Sequence, residues 1–148
     1  MKRESEMNPG RKLEIIRAQK LLSQEELASC AGLSLSTYSD LEGMGDLQDN
    51  ISLRNLRKLC KCLQIRPIEL FTEAENDFRQ SIGFEEIQKT VKEYLSVHNL
   101  ELSRFENQVG WELAEFVNNP DAAWKWNVEE LRNVCDAVAI DWLSALPT

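Results

Sequence analysis

Leu22-Ser-Gln-Glu-Glu-Leu-Ala-Ser-Cys-Ala-Gly-Leu-Ser-Leu-Ser-Thr-Tyr-Ser-Asp-Leu-Glu42 is the stretch whose reading decides the fold. Ser23 stands three residues before Glu26, the spacing of a capping box. In that box the serine oxygen takes a free backbone N–H and the glutamate does the same for the serine. A helix therefore starts there, carrying Leu27, Ala28 and Ala31. Gly32 ends it, because a tight turn needs a left-handed backbone that glycine adopts at low cost. Ser34 is the next N-cap and opens a third helix over residues 35–42, with Tyr38 and Leu41 facing inward.

Working outward, the chain reads as all-α, with few period-two stretches and with Gly and Pro at element ends. A first helix spans residues 10–21, with Leu13, Ile16 and Lys20 on successive turns. Gly43–Ile51 reads as a loop. Ser52 caps a fourth helix over 53–63, which places Leu53, Leu56, Leu59, Cys60 and Leu63 on one face. Pro67 starts a short fifth helix that closes with Ile68, Leu70 and Phe71. The expected organisation is a flexible segment at 1–9, a five-helix domain at 10–71 and a linker or helix extension at 72–83. An acidic helical domain follows at 84–148, opened by an amphipathic helix Phe84–Val97.

Residues 10–71 resemble the Cro/C1 (XRE) family of helix-turn-helix DNA-binding domains. The resemblance is carried by Leu13, Ile16, Arg17, Leu22–Ala28, Ala31-Gly-Leu-Ser34, Tyr38, Leu41-Glu42, Leu56, Leu63 and Ile65. It implies a lambda-repressor-like fold whose third helix enters the major groove of duplex DNA while its neighbour crosses the backbone. It also implies that Gln24 contacts phosphate or braces the reading helix. Leu35, Ser36, Ser39 and Asp40 take the outward reading positions, and Ser34 and Thr37 reach phosphate. Arg17 and Glu42 match a structural ion pair of the family. The remaining phosphate contacts fall to Arg11, Lys12, Arg54 and Arg57, with Lys2 and Arg3 in the N-terminal segment. The pattern departs from the family in two respects. The third helix has no Arg, Lys, Gln or Asn, and Asp46 and Asp49 stand in a loop where basic residues are common. Such a domain would gain affinity by homodimerising on two half-sites.

The charge of the chain is unevenly placed. Residues 1–75 hold 11 basic and 12 acidic side chains, whereas residues 76–148 hold 6 and 13, so the net charge of −8 lies almost wholly in the second half. If one half touches DNA, it is the first. No apolar run approaches the ~20 residues of a membrane span, and residues 1–10 lack a signal-peptide core. A soluble, cytoplasmic protein is expected, without a membrane partner. Cys30, Cys60, Cys62 and Cys135 match neither a disulfide framework nor a zinc knuckle and read as reduced, small apolar residues. No metal site, cofactor or catalytic residue is expected: there is no nucleophile–base pairing and no phosphate loop, and the one histidine, His98, reads as a surface residue.

The second half reads as a degenerate copy of the first, over about 84–146. Shifted by 78, Leu22, Leu27, Ala31, Gly32, Leu33, Leu35 and Tyr38 fall on Leu100, Phe105, Val109, Gly110, Trp111, Leu113 and Phe116. Shifted by 75, Leu56-Arg-Lys-Leu-Cys60 falls on Leu131-Arg-Asn-Val-Cys135. The copy keeps the apolar frame and puts Glu112 and Glu115 where a reading helix would meet phosphate. Leu95 and Pro120 stand where the ion pair would be. Trp111 and Trp142 read as core, and Trp124 and Trp126, in the loop Asn118–Asn127, as loop packing or as an interface. The function expected is sequence-specific transcriptional regulation, with the second half serving oligomerisation, sensing or partner binding. The other reading is an antitoxin or similar interaction module, whose acidic residues 84–148 bind a protein partner.

Overall fold

The structure is a computed structural model and describes residues 8–43, 47–72 and 80–148. The expected flexible segment lies outside the described residues up to position 7. So do Lys2, Arg3, Asp46 and positions 73–79 of the linker. Nine α-helices occur among the described residues: α1 (Pro9–Gln19), α2 (Gln24–Ala31), α3 (Leu35–Gly43), α4 (Leu47–Asn50), α5 (Leu53–Leu63), α6 (Phe84–Val97), α7 (Leu102–Val109), α8 (Ala114–Asn118) and α9 (Val128–Ala137). Single 3-10 turns lie at Pro67–Leu70, Pro120–Lys125 and Trp142–Ala145. The fold is all-α, and the only strand-like pairing among the described residues is an isolated antiparallel bridge between Ser52 and Asn127.

The local signals in the sequence are realised as hydrogen bonds. Asn8 caps α1 by accepting from the Arg11 N–H at 2.7 Å. Ser23 and Glu26 form the reciprocal capping box of α2, at 3.0 and 2.8 Å. Gly32 follows with φ +72°, the left-handed value that turns the chain into α3. Ser52 caps α5 through the Asn55 N–H. Leu13, Leu27, Tyr38, Leu53, Leu56 and Leu59 are fully buried. Each buried side chain of this size stabilises the fold by about 1.5–3 kcal/mol. Gly10 lies where α1 crosses the end of α3, and a Cβ there would overlap the Leu41 carbonyl oxygen.

Three expectations are corrected. Gly43–Ile51 is not all loop: Leu47 is fully buried, and anchoring it draws residues 47–50 into the short helix α4. Likewise, Asn118–Asn127 contains the 3-10 turn Pro120–Lys125, started by proline with the Asn119 side chain capping the Asp121 N–H. The cysteines divide. Cys30 on α2 and Cys62 on α5 form a disulfide, contrary to the reduced reading. Residues two apart on a helix face different ways, so α5 turns Cys60 into the core and Cys62 towards α2. Burial pushes the Cys60 and Cys135 thiols up to about 12, with nearby carboxylates adding to the rise. These two behave as the small apolar residues expected.

The left-handed residues fall into pairs. Leu21 and Asn99 have φ 61° and 47°, Gly32 and Gly110 have 72° and 101°, and Gln64 and Ala139 have 59° and 62°. The first two pairs are 78 residues apart and the third is 75 apart.

Candidate nucleic-acid interface

The interface begins with what holds α3 in place. Glu42, at the end of α3, is only 8% exposed. Its carboxylate accepts from four donors. Arg17 Nε lies at 2.6 Å and Arg17 Nη2 at 3.2 Å, and Gln24 Nε2 lies at 2.7 Å. The fourth donor is the Tyr38 hydroxyl, one turn earlier on α3. The third Arg17 nitrogen, Nη1, donates to the Leu22 carbonyl at 2.7 Å. One carboxylate thus ties α1, the start of α2 and both turns of α3 together.

The electrostatics agree with that geometry. Burial pushes the Glu42 carboxyl up, but hydrogen bonds from Arg17, Tyr38 and Gln24, with the Arg17 charge, outweigh it and hold the group below its ordinary value. The hydrogen bond to Glu42 raises Arg17 in turn. Burial, followed by the bond to Glu42, raises the Tyr38 phenol, so it stays a donor. The ion pair read from Arg17 and Glu42 is present. Gln24 stands in the bracing position, and Tyr38 joins the network through a hydroxyl that the sequence reading treated only as core.

Outside this brace, Ser34, Leu35, Ser36, Thr37 and Asp40 are exposed and Ser39 is half-buried. Leu35 is 47% exposed, so its apolar side chain is open to contact. Ser34 Oγ accepts from the Thr37 N–H at 3.1 Å and donates to Thr37 Oγ1 at 2.8 Å, so the two hydroxyls act together at the start of α3. This face can offer hydroxyls, one apolar contact and one carboxylate to base edges, and hydroxyls and backbone N–H groups to phosphate.

The basic residues read as phosphate contacts have different surroundings. Arg11 is exposed and pairs with Glu14 at 2.6 Å. Lys12 donates to the Thr72 carbonyl at 2.5 Å, at the far end of the domain. Arg54 is exposed near the start of α5. Arg57 faces the second half: its Nε donates to the Thr148 carbonyl at 3.0 Å and its guanidinium lies 5.6 Å over the Trp124 ring. Trp124 also meets Phe84 edge-on at 4.8 Å, and Trp126 packs on Phe116 and Trp111.

In the second half, Glu112, just before the five-residue α8, and Glu115, in its first turn, are exposed. Glu115 pairs with Lys125 at 3.2 Å. Among the described residues, no His, Cys, Asp and Glu group has the arrangement of a metal site. Among these residues no helix is long and apolar enough to cross a membrane.

No curated protein matches the chain. The family model described as Helix-turn-helix matches residues 13–70, from the core leucine of α1 to the end of the 3-10 turn after α5. Residues 13–70 are a helix-turn-helix domain of the Cro/C1 type.

Proposed function

We propose that the chain is a sequence-specific transcriptional regulator that reads duplex DNA with α3. The observation that carries this reading is the contrast across one helix. The inner side of α3 is fixed by four hydrogen bonds on Glu42, while the outer side presents Leu35, Ser36, Thr37 and Asp40 to solvent with no partner among the described residues beyond the Ser34–Thr37 pair. A rigid helix with an uncommitted polar face suits groove reading, because a base contact discriminates only when its donor is held in place. With few cations nearby, binding should be weak for this class and less salt-dependent than that of a strongly basic domain.

The test is a mobility-shift titration on DNA upstream of the chain's own gene, comparing wild type with the Ser36→Ala/Thr37→Ala/Ser39→Ala variant. The variant should lose at least tenfold in affinity for that site and keep its weak affinity for random duplex. Equal affinity for both duplexes, unchanged in the variant, refutes the reading. The acidic surface of residues 84–148 supports a second reading, in which that half binds a basic protein such as a toxin. Salt-sensitive co-purification with a basic neighbour-encoded protein would favour it.

A further inference from the structure

The two halves share a backbone plan. At an offset of 78, α2 coincides in its bounds with α7. At an offset of 75, α5 starts where α9 does, and the turns Pro67–Leu70 and Trp142–Ala145 coincide. The three pairs of left-handed residues obey the same two offsets. So do chain-reversing hydrogen bonds: Leu22 N–H to Arg17 O matches Leu100 N–H to Leu95 O, and Ile65 N–H to Cys60 O matches Ile140 N–H to Cys135 O. The N-caps Ser52 and Asn127 correspond as well, each accepting from the N–H three residues on.

The contacts between the halves are reciprocal. Ser52 and Asn127, corresponding residues, pair with each other in the antiparallel bridge, flanked by a 2.7 Å bond from Leu53 N–H to Trp126 O. Helix α4 packs on α9, and the counterpart of α4, in Pro120–Lys125, packs on α5. One cleft brings Arg132 to Leu70 and Thr72, and another brings Arg57 to Ala145 and Pro147, which are the corresponding residues. Contact of i with j and of j with i is the mark of a two-fold interface.

We infer that residues 84–146 are a second copy of the helix-turn-helix fold, docked on the first about an internal two-fold axis. The chain therefore carries its own dimer partner and reads a single, non-palindromic half-site as a monomer. The pairing rests on backbone geometry; the half-site rests on the DNA-reading function proposed above. The start of α5 is already engaged within the chain, by the bond from Leu53 N–H to Trp126 O. The copy cannot read in its turn: the positions matching Ser36 and Thr37 hold Ala114 and Glu115, and the one matching Leu35 holds Leu113, which is buried. The homodimer expected from the sequence is replaced by a pair within one chain.

The test uses the full-length chain with Ser52→Cys and Asn127→Cys. Facing residues of this bridge type have Cα atoms about 4.5 Å apart, within reach of a disulfide. Oxidation should link the two within one chain, giving a non-reducing species of 17.0 kDa whose cross-linked peptide maps to both sites. A link between two chains, or none, overturns the internal pairing. Selection from a random duplex pool should then yield one undivided motif, bound by one chain per duplex. An inverted repeat with halves about 10 base pairs apart, bound by two chains, overturns monomeric reading. Enrichment of no motif overturns the DNA-reading function and the half-site with it, and the cross-link still decides the pairing.

Discussion

Replacing Glu42 with alanine should be the most damaging single change near α3. The substitution removes the acceptor for two Arg17 bonds and for the Gln24 and Tyr38 bonds. Arg17 keeps its charge, and its side chain is only 14% exposed. Breaking a buried pair from one side costs about 3–5 kcal/mol, because the remaining charge has no compensation. For a chain of this size that corresponds to a fall in Tm of roughly 10 °C. The assay is urea denaturation followed by circular dichroism at pH 7, with the Arg17→Leu/Gln24→Leu/Tyr38→Phe/Glu42→Leu variant as control. The fourfold variant removes every polar member at once and should be closer to wild type than Glu42→Ala. A loss below about 1 kcal/mol for Glu42→Ala, or a fourfold variant worse than the single one, refutes the argument that the damage comes from stranded polar groups.

The same network sets a pH dependence. Glu42 is held below its unfolded value, so its contribution is complete above pH ~4.3 and is lost as pH falls through the folded value, where the unfolded chain binds more protons. Stability measured between pH 7 and pH 3 should therefore fall more steeply for wild type than for Glu42→Gln; parallel curves would count against it. The Cys30–Cys62 bond spans a sequence separation of 32 residues. Closing a loop of that length stabilises by about 3–4 kcal/mol, so Cys30→Ser should shift the urea midpoint clearly downward and make it insensitive to reductant; coincident wild-type midpoints with and without reductant would refute this. Gly10→Ala should destabilise by about 1–3 kcal/mol, despite alanine's better helix propensity, because the new methyl meets the Leu41 carbonyl. Thermal melts showing a gain would contradict that close approach.

Local chemistry made much of the fold legible. The capping box at Ser23, the turn at Gly32, the cap at Ser52 and the apolar faces of α5 and α6 follow from residue types at fixed spacing. What escaped depended on distant partners. Residues 47–50 are polar apart from Leu47 and become helical because that one leucine finds the core. Spacing along the chain does not reveal that α2 lies beside α5, so the Cys30–Cys62 bond could not be read from it. In the interface, Arg17 and Glu42 were legible as a pair, but the hydroxyl of Tyr38 was hidden behind its ring. Arg57 and Lys12 read as cations offered to phosphate. The fold brings Arg57 to Trp124 and Thr148, and Lys12 to the Thr72 carbonyl.

The proposed second copy bears on what the Glu42 network is for. At an offset of 78, Arg17, Gln24, Tyr38 and Glu42 correspond to Leu95, Leu102, Phe116 and Pro120. All four polar members are apolar there, and none is left without its partners. That is what the energetics require, since a half-satisfied buried network is worse than an apolar core. The second half nevertheless folds, with Phe105, Phe116, Leu131 and Val134 at most 1% exposed. On that proposal the network is dispensable for building this frame. Its place in the first half follows from what only that half presents: a nine-residue α3 with an exposed hydroxyl face, against the five-residue α8 with Glu115 engaged by Lys125. A buried apolar contact fixes a helix less tightly than four directed bonds on one carboxylate do. On the proposed DNA-reading function, a helix that places Ser36 and Thr37 against base edges or phosphates needs that tighter attitude, and one that only supports its neighbour does not.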